Sequence, residues 1–324
     1  MDFELSDDQM ALQEGVRNFC EGRVPMPVIR ALADGGALDR ALWRELADMG
    51  VFSLRLAEAD GGVGLGWADA VLVFEELGRA LVPGPLVWTH LAAGLVPGAA
   101  SGETVVGGVE RDDPSRLVEH LGSLDVVLIV DAEGVWQVDA GALASREIAH
   151  PLDPLTPVRE LTEPLPQGER LAGPDTAAQL REQGAALVAG LLLGVAEAAT
   201  DLAVTYARER VQFDKPIGAF QAVKHLLADM FTRVEVARGA VYAAGVTLDD
   251  PAVGSVERAV AAAKLTAAEA AIGNGKSCIQ VHGGMGYTWE VDAHLYFKRA
   301  YALEPAFGGI EACADTMADL LAST

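Results

Sequence analysis

A chain of 324 residues, 51% of them hydrophobic, carries enough apolar material to bury a large core in two or three packed units, which excludes disorder as its overall state. Forty-seven carboxylates against 24 Lys plus Arg leave a formal charge of −23, so an electrostatic grip on nucleic acid or an anionic membrane is disfavoured and an anionic ligand would need a local cation. Cys20, Cys278 and Cys313 are odd in number and lack metal-like spacing, which suits reduced packing thiols, and no secretory leader opens the chain, so a soluble cytoplasmic protein is expected.

Ser6 before Asp7 and Asp8 has the form of an N-cap, and Leu12, Val16 and Phe19 then recur at helical spacing up to a stop near Gly22. Further apolar stripes run through Leu38, Leu42 and Leu46 to Gly50, and through Val71, Phe74 and Leu77 to Pro83, giving a helical N-terminal domain over residues 1–100. Between them, Asp60-Gly-Gly-Val-Gly-Leu-Gly66 lacks the GxGxxG spacing of a phosphate loop and reads as a flexible connection. Residues 101–174 change to short β-branched runs, Thr104-Val-Val106, Val126 to Val130 and Val135 to Val138, which predict a small β domain. Its tail from Pro151 to Pro174 is dense in proline and charge and reads as an extended connection rather than another strand pair. Residues 175–324 return to long helical periodicity through Leu187 to Val195, Leu226 to Val236, Val256 to Ile272 and a last segment after Gly309, a four-helix bundle. The 15-residue apolar stretch from Ala185 to Ala199 is too short and too closely flanked by charge to span a membrane.

Two clusters in the bundle exceed what connections require. In Arg208-Glu-Arg210-Val-Gln-Phe213-Asp-Lys-Pro216-Ile-Gly218-Ala-Phe220-Gln221, a cation and an aromatic sit in a turn shaped by Pro and Gly, where Arg210 could pair a phosphate or make an ordinary surface contact. In Gln280-Val-His-Gly283-Gly284-Met-Gly286-Tyr287, glycines end a long helix, either as a plain C-cap or to let backbone N–H groups approach a ligand. His282 reads as a packing or hydrogen-bonding residue within that loop.

Together these clusters resemble the C-terminal domain of the acyl-CoA dehydrogenase family, with its RxxFGxPIxxFQ and QxxGGxG segments, and Glu58 to Leu65 and Phe74-Glu-Glu-Leu-Gly78 resemble N-terminal segments of the same family. The resemblance implies a mainly α fold with a reduced β middle domain, FAD as cofactor, an acyl-CoA substrate and an electron acceptor such as electron-transfer flavoprotein. It also implies that Arg210, Phe213, Gln221, Gln280, Val281, His282, Gly283 and Gly284 reach the adenosine and diphosphate half of a neighbouring subunit's FAD. A guanidinium and a glycine loop would supply local positive potential on an acidic protein.

The reaction of the family needs a carboxylate to take the α proton while a hydride leaves the β carbon. Counting from Gln280 puts Phe307 at the usual Glu position, and the alternative position on the first bundle helix falls on Gly184, so no catalytic base is expected from this chain. Glu304, Glu311 and Glu182 flank these positions from other directions. The Thr-Glu-Pro and Lys-x-Trp-Ile segments of the family's flavin wall also lack counterparts, since Leu161-Thr-Glu-Pro164 matches only in letters and sits too late. This pattern resembles the base-lacking subunit of actinobacterial α2β2 steroid side-chain acyl-CoA dehydrogenases, which implies an unlike partner subunit. A self-sufficient dehydrogenase with a relocated Glu, and a flavin-free structural paralogue, are the alternatives.

Overall fold

The computed structural model describes residues 4–35 and 38–322. Ser6 starts α1 (Asp7–Arg23) through a reciprocal capping box, its hydroxyl accepting from Gln9 N–H at 3.2 Å while the Gln9 side chain accepts from Ser6 N–H at 3.1 Å. Helix α2 (Met26–Ala33) follows, then α3 (Arg40–Asp48), capped by Asp39 and closed by Gly50 at φ +83°. After a single 3-10 turn over Glu58–Asp60 the chain bends at Gly61 and Gly62 and runs without regular structure to Gly66, where α4 (Trp67–Arg79) begins, and the short α5 (Leu86–Ala92) comes next.

The β region contains β1 (Val106–Glu110), β2 (Leu117–Glu119), β3 (Val126–Asp131), β4 (Gly134–Asp139), β5 (Ser145–Glu147), β6 (Val158–Leu161) and β7 (Glu169–Ala172). One sheet has the order β1-β3-β4-β7, parallel only between β1 and β3; the other, β2-β6-β5, is antiparallel. The expectation of a strandless connection from Pro151 to Pro174 is therefore corrected, because β6 and β7 lie within it, one in each sheet. Both carry charged residues, Arg159 and Glu160 half-buried on β6 and Glu169 and Arg170 exposed on β7, which hide the apolar alternation of a buried strand.

Helix α6 (Pro174–Glu209) leads into a hairpin of β8 (Val211–Gln212) and β9 (Lys215–Pro216), followed by α7 (Gln221–Asp249), α8 (Val256–His282), α9 (Ala293–Leu303) and α10 (Ile310–Ala322). The 11-residue α9 adds a fifth helix to the four expected, and the last two positions of the expected terminal helix lie outside the described residues. By length and composition α6 could cross a membrane, but 78% of its most apolar window is buried within the protein, as in a core helix.

Contacts group the chain into two compact units, residues 1–25, 67–82 and 185–324 in one, and 26–66 and 83–184 in the other. The second unit holds both sheets, and there Gly108 of β1 admits the Trp88 ring of α5, which a Cβ would meet at 2.4 Å. In the first, α4 lies against α6 at a separation that only glycine permits, since a Cβ on Gly78 would sit 2.1 Å from Leu191 O and one on Gly194 1.9 Å from Glu75 O.

That contact drives Glu75 and Glu76 of α4 into the interior, each 1% exposed, so both carboxylates need partners. Arg17 of α1 takes Glu76 with two bonds at 2.6 and 3.0 Å. Arg238 of α7 donates to Glu75, which also accepts from Tyr242 Oη at 2.8 Å and Gln13 Nε2 at 3.2 Å. Burial pushes the Glu75 carboxyl up to about 7 against the pull of Arg238, and the network joins α1, α4 and α7 into one frame.

Candidate active and cofactor site

The Arg210 cluster forms where α6 stops. Phe213 and Asp214, at φ +53° and +61°, make the two-residue turn of the β8–β9 hairpin. A bulky Phe in that left-handed conformation is strained by roughly 1–3 kcal/mol, a feature found where function holds a residue in place. Its ring is 85% exposed and meets Phe220 edge-on at 6.1 Å, while Lys215 Nζ lies 4.3 Å from the Phe220 ring centroid. The Arg210 guanidinium is exposed and has no ion pair among the described residues, and its backbone carbonyl accepts from Ile217 N–H at 2.8 Å. Gln221 opens α7 and is exposed, and the N-cap Phe220 offers no side-chain acceptor, so the first-turn N–H groups keep their capacity for an anion.

The second cluster ends α8. Gly283, at φ +60° and ψ −138°, turns the chain in a conformation reserved for glycine, and neither Gly283 nor Gly284 has a heavy atom within 4 Å of where a Cβ would lie. Gln280, Gly283 and Gly284 are exposed, whereas Val281 and His282 point into the bundle at 6% and 5% exposure. His282 Nδ1–H donates to Cys278 O at 2.8 Å, and its ring stacks on Tyr206 of α6 at 4.2 Å. Tyr206 is one turn before Arg210, so this stack brings the glycine loop and the Arg210 hairpin to the same end of the bundle. A free guanidinium, an uncapped helix N-terminus and an open glycine backbone form a donor set that fits a diphosphate and its attached nucleoside.

Residues 304–309 are built in the opposite way. Phe307 adopts φ +55° and presents no proton acceptor. Glu304 turns its carboxylate back to accept from Ile310 N–H at 2.6 Å, capping α10, and Gly309 leaves the room this requires, since a Cβ there would lie 2.7 Å from Glu304 Oε1. From beneath, Lys264 of α8 donates to Glu304 O at 2.6 Å and Gly308 O at 2.8 Å, tying both ends of the segment. Lys264 is 0% exposed, and burial lowers its ammonium to about 8. Two charge-assisted bonds of about 1.5 kcal/mol or more each hold the segment closed. Of the other carboxylates near the expected base positions, Glu311 is exposed on α10 and Glu182 lies in the second unit, two residues before the buried Gly184.

Lys264 and the Glu75–Arg238 pair are absent from the sequence reading. A lysine in an Ala-rich helix looks solvated, and its function here depends on a loop 40 residues away. Cys20, Cys278 and Cys313 are free and buried, as expected of packing thiols, with burial pushing the first two up to about 12.

Residues 6–103 match the model of the acyl-CoA dehydrogenase N-terminal domain, and residues 173–321 that of the acyl-CoA dehydrogenase C-terminal domain. The chain is 36% identical over 290 residues to acyl-CoA dehydrogenase IpdE2 of Mycobacterium tuberculosis, covering 86% of this chain and 85% of that protein. It superposes on a chain of the ChsE4-ChsE5 complex from Mycobacterium tuberculosis with a TM-score of 0.84 and 26% identity over 100% of both chains. A chain of the Tcur3481-Tcur3483 steroid ACAD gives a TM-score of 0.84 and 25% identity over 98% of each. With both family domains present and this degree of identity across most of its length, the chain belongs to the acyl-CoA dehydrogenase family, oxidoreductases acting on the CH–CH bond of an acyl-CoA.

Proposed function

We propose that this chain is one subunit of a heteromeric, FAD-dependent acyl-CoA dehydrogenase, completing a flavin site shared with an unlike subunit that supplies the catalytic base. The observation that carries this reading is the contrast between an open donor set at Arg210, Gln221 and Gly283-Gly284 and a closed 304–309 segment with Phe307 where a carboxylate would stand. Bound FAD would supply the hydride acceptor for the α,β-desaturation. Arg210 and the glycine loop would hold its diphosphate, Phe213 would pack the adenosine, and Glu304, engaged with Ile310 N–H, would stay out of proton transfer.

Partner dependence is further supported by Phe213, Tyr287, Trp289 and Phe231, which are 85, 83, 67 and 61% exposed in the bundle unit, more aromatic surface than a solitary subunit usually presents. The likeness to two chains solved as members of paired assemblies, one of them a steroid ACAD, supports a bulky, steroid side-chain thioester as substrate. An electron-transfer flavoprotein as acceptor and a cytoplasmic location complete the proposal.

The test is to express this chain alone and with the unlike family member encoded beside it, and to measure flavin absorbance per protein. About one FAD per unlike pair, with none in the lone chain, is expected. One FAD per lone chain with turnover of acyl-CoA would refute the reading.

A further inference from the structure

The donor set of Arg210, the first turn of α7 and the glycine loop suits a diphosphate, but a diphosphate alone does not identify the molecule that carries it. FAD and coenzyme A both contain adenosine 5′-diphosphate. They differ at the ribose, whose hydroxyls are free in FAD and whose 3′ oxygen is phosphorylated in coenzyme A. An acyl-CoA dehydrogenase meets both, so a site meant for one of them needs a feature that reads the sugar.

The tip of the β8–β9 hairpin carries such a feature. Phe213 and Asp214 are the only adjacent pair of non-glycine residues with positive φ among the described residues. A two-residue hairpin favours glycine at the second position, and the family segment RxxFGxPIxxFQ has glycine there, yet this chain holds Asp214 at φ +61°. Its carboxylate is exposed and takes no ion pair among the described residues. The polar neighbours are engaged elsewhere, since Lys215 Nζ lies 4.3 Å from the Phe220 ring centroid and Gln212 Nε2 donates to Val211 O at 2.8 Å. From Arg210 to the tip is three residues of extended strand, about 10 Å, comparable with the reach from a diphosphate across the ribose to its base. A diphosphate held at Arg210 therefore brings the sugar level with Phe213 and Asp214. An unneutralised negative charge there weakens the hold on any anion, so it would be a pure loss unless it discriminates between anions.

We propose that Asp214 is a specificity residue of the flavin site, its carboxylate accepting from the free ribose hydroxyls of FAD and repelling the phosphorylated ribose of coenzyme A. The proposal rests on the flavin-site reading of Arg210 and the glycine loop. An ionised carboxylate is an acceptor only, with two oxygens that can take both hydroxyls of a diol. Acidic side chains read ribose hydroxyls in the same way in dinucleotide folds. A phosphate ester carries close to two negative charges at neutral pH, so it meets about twice the repulsion of a single charge. The exposure of Asp214 leaves that repulsion open to screening by salt.

The experiment uses the complex of this chain with the co-encoded unlike subunit, loaded with FAD. Displacement of FAD by ADP and by adenosine 3′-phosphate 5′-diphosphate is followed by the recovery of flavin fluorescence, so a probe that binds elsewhere without displacing flavin does not register. The quantity read is the ratio of the two displacement constants, for wild type, Asp214→Asn, Asp214→Gly, Asp214→Glu and a control, Glu163→Gln, that removes one exposed carboxylate from the β region. Asparagine tolerates the left-handed conformation and keeps an acceptor, and glycine relieves the turn, so neither change breaks the hairpin. Wild type, Asp214→Glu and the control are expected to favour ADP by about ten-fold or more at low salt, with the preference shrinking as salt rises. Asp214→Asn and Asp214→Gly should bring the two constants within about three-fold. A wild type without preference, or a preference that survives in both uncharged variants, would refute the role of Asp214 while the flavin site stands. A preference unchanged at high salt would make the rejection steric and refute it as well. Failure of the complex to hold FAD at all would overturn the flavin-site reading, and the proposal with it.

Discussion

Two loops of the same bundle, both following helices that pack on α8 or belong to it, differ in what their backbones are free to do. The Gln280–Tyr287 turn leaves Gly283 and Gly284 open on their outer side, whereas the Glu304–Gly309 turn has its carbonyls taken by Lys264 and its carboxylate spent on Ile310 N–H. The difference teaches that two turns carried by one helix scaffold can differ in backbone availability, one open on its outer side and one sealed by its own side chains. The two states are independent because separate residues hold them.

The largest expected effect tests whether both loops hang on one frame. Arg238→Leu strands Glu75 at 1% exposure and should cost about 4 kcal/mol in urea unfolding. Adding Glu75→Gln should recover part of that loss, and additivity of the two changes would break the pairing argument.

Lys264→Met addresses the closed loop alone and should cost about 3 kcal/mol by removing two bonds from a buried ammonium, with flavin content of the co-purified complex unchanged. Its pH dependence has a definite sign. The folded value of about 8 lies below the unfolded 10.5, so between these limits the unfolded chain binds more protons. The Lys264 contribution therefore grows as pH rises through this window and is lost as pH falls through about 8. Comparing wild type with Lys264→Met, the gap in stability should be about 2 kcal/mol wider at pH 10 than at pH 7.5. A gap that narrows would mean that the ammonium is not disfavoured by burial.

Arg210→Ala addresses the open site. Because the guanidinium is exposed and unpaired among the described residues, thermal stability should stay within a degree or so, while flavin affinity of the complex falls about thirty-fold, near 2 kcal/mol. Equal flavin retention would remove Arg210 from the site. The smallest effect is expected from Phe213→Gly, which relieves the strain at φ +53° and should stabilise the lone chain by about 1 kcal/mol while weakening flavin retention in the complex.

The open loop was legible in the sequence because its signals are local: a helix end, a Pro and a Gly at Pro216 and Gly218, and three glycines within four residues at 283–286. The absence of a carboxylate at Phe307 was equally legible, by counting from Gln280. Closure of the second loop was not, since it depends on Lys264 meeting Glu304 across 40 positions and on a capping carboxylate crossing back to α10. Strands β6 and β7 escaped for a related reason, their charged side chains having partners distant in sequence, Arg146 for Glu160 and Gln137 for Glu169, but reading as loop in isolation. The burial of Glu75 and Glu76 was not legible either, since it depends on the glycine contacts of α4 with α6. Helix α9 went unanticipated because His294, Phe297 and Lys298 on its less buried side are themselves half-buried, so it lacks the polar outer face from which an amphipathic helix is recognised.

The most direct test of a subunit that helps to bind flavin but supplies no base is to replace Glu304, Glu311 and Glu182 with Gln together in this chain and measure acyl-CoA turnover by the co-purified complex. The amide oxygen that Glu304→Gln introduces can still accept from Ile310 N–H, so the loop is kept. Turnover within about two-fold of wild type is the expected result, whereas a loss of about a hundred-fold or more with flavin still bound would place the base in this chain and contradict the proposed division of labour.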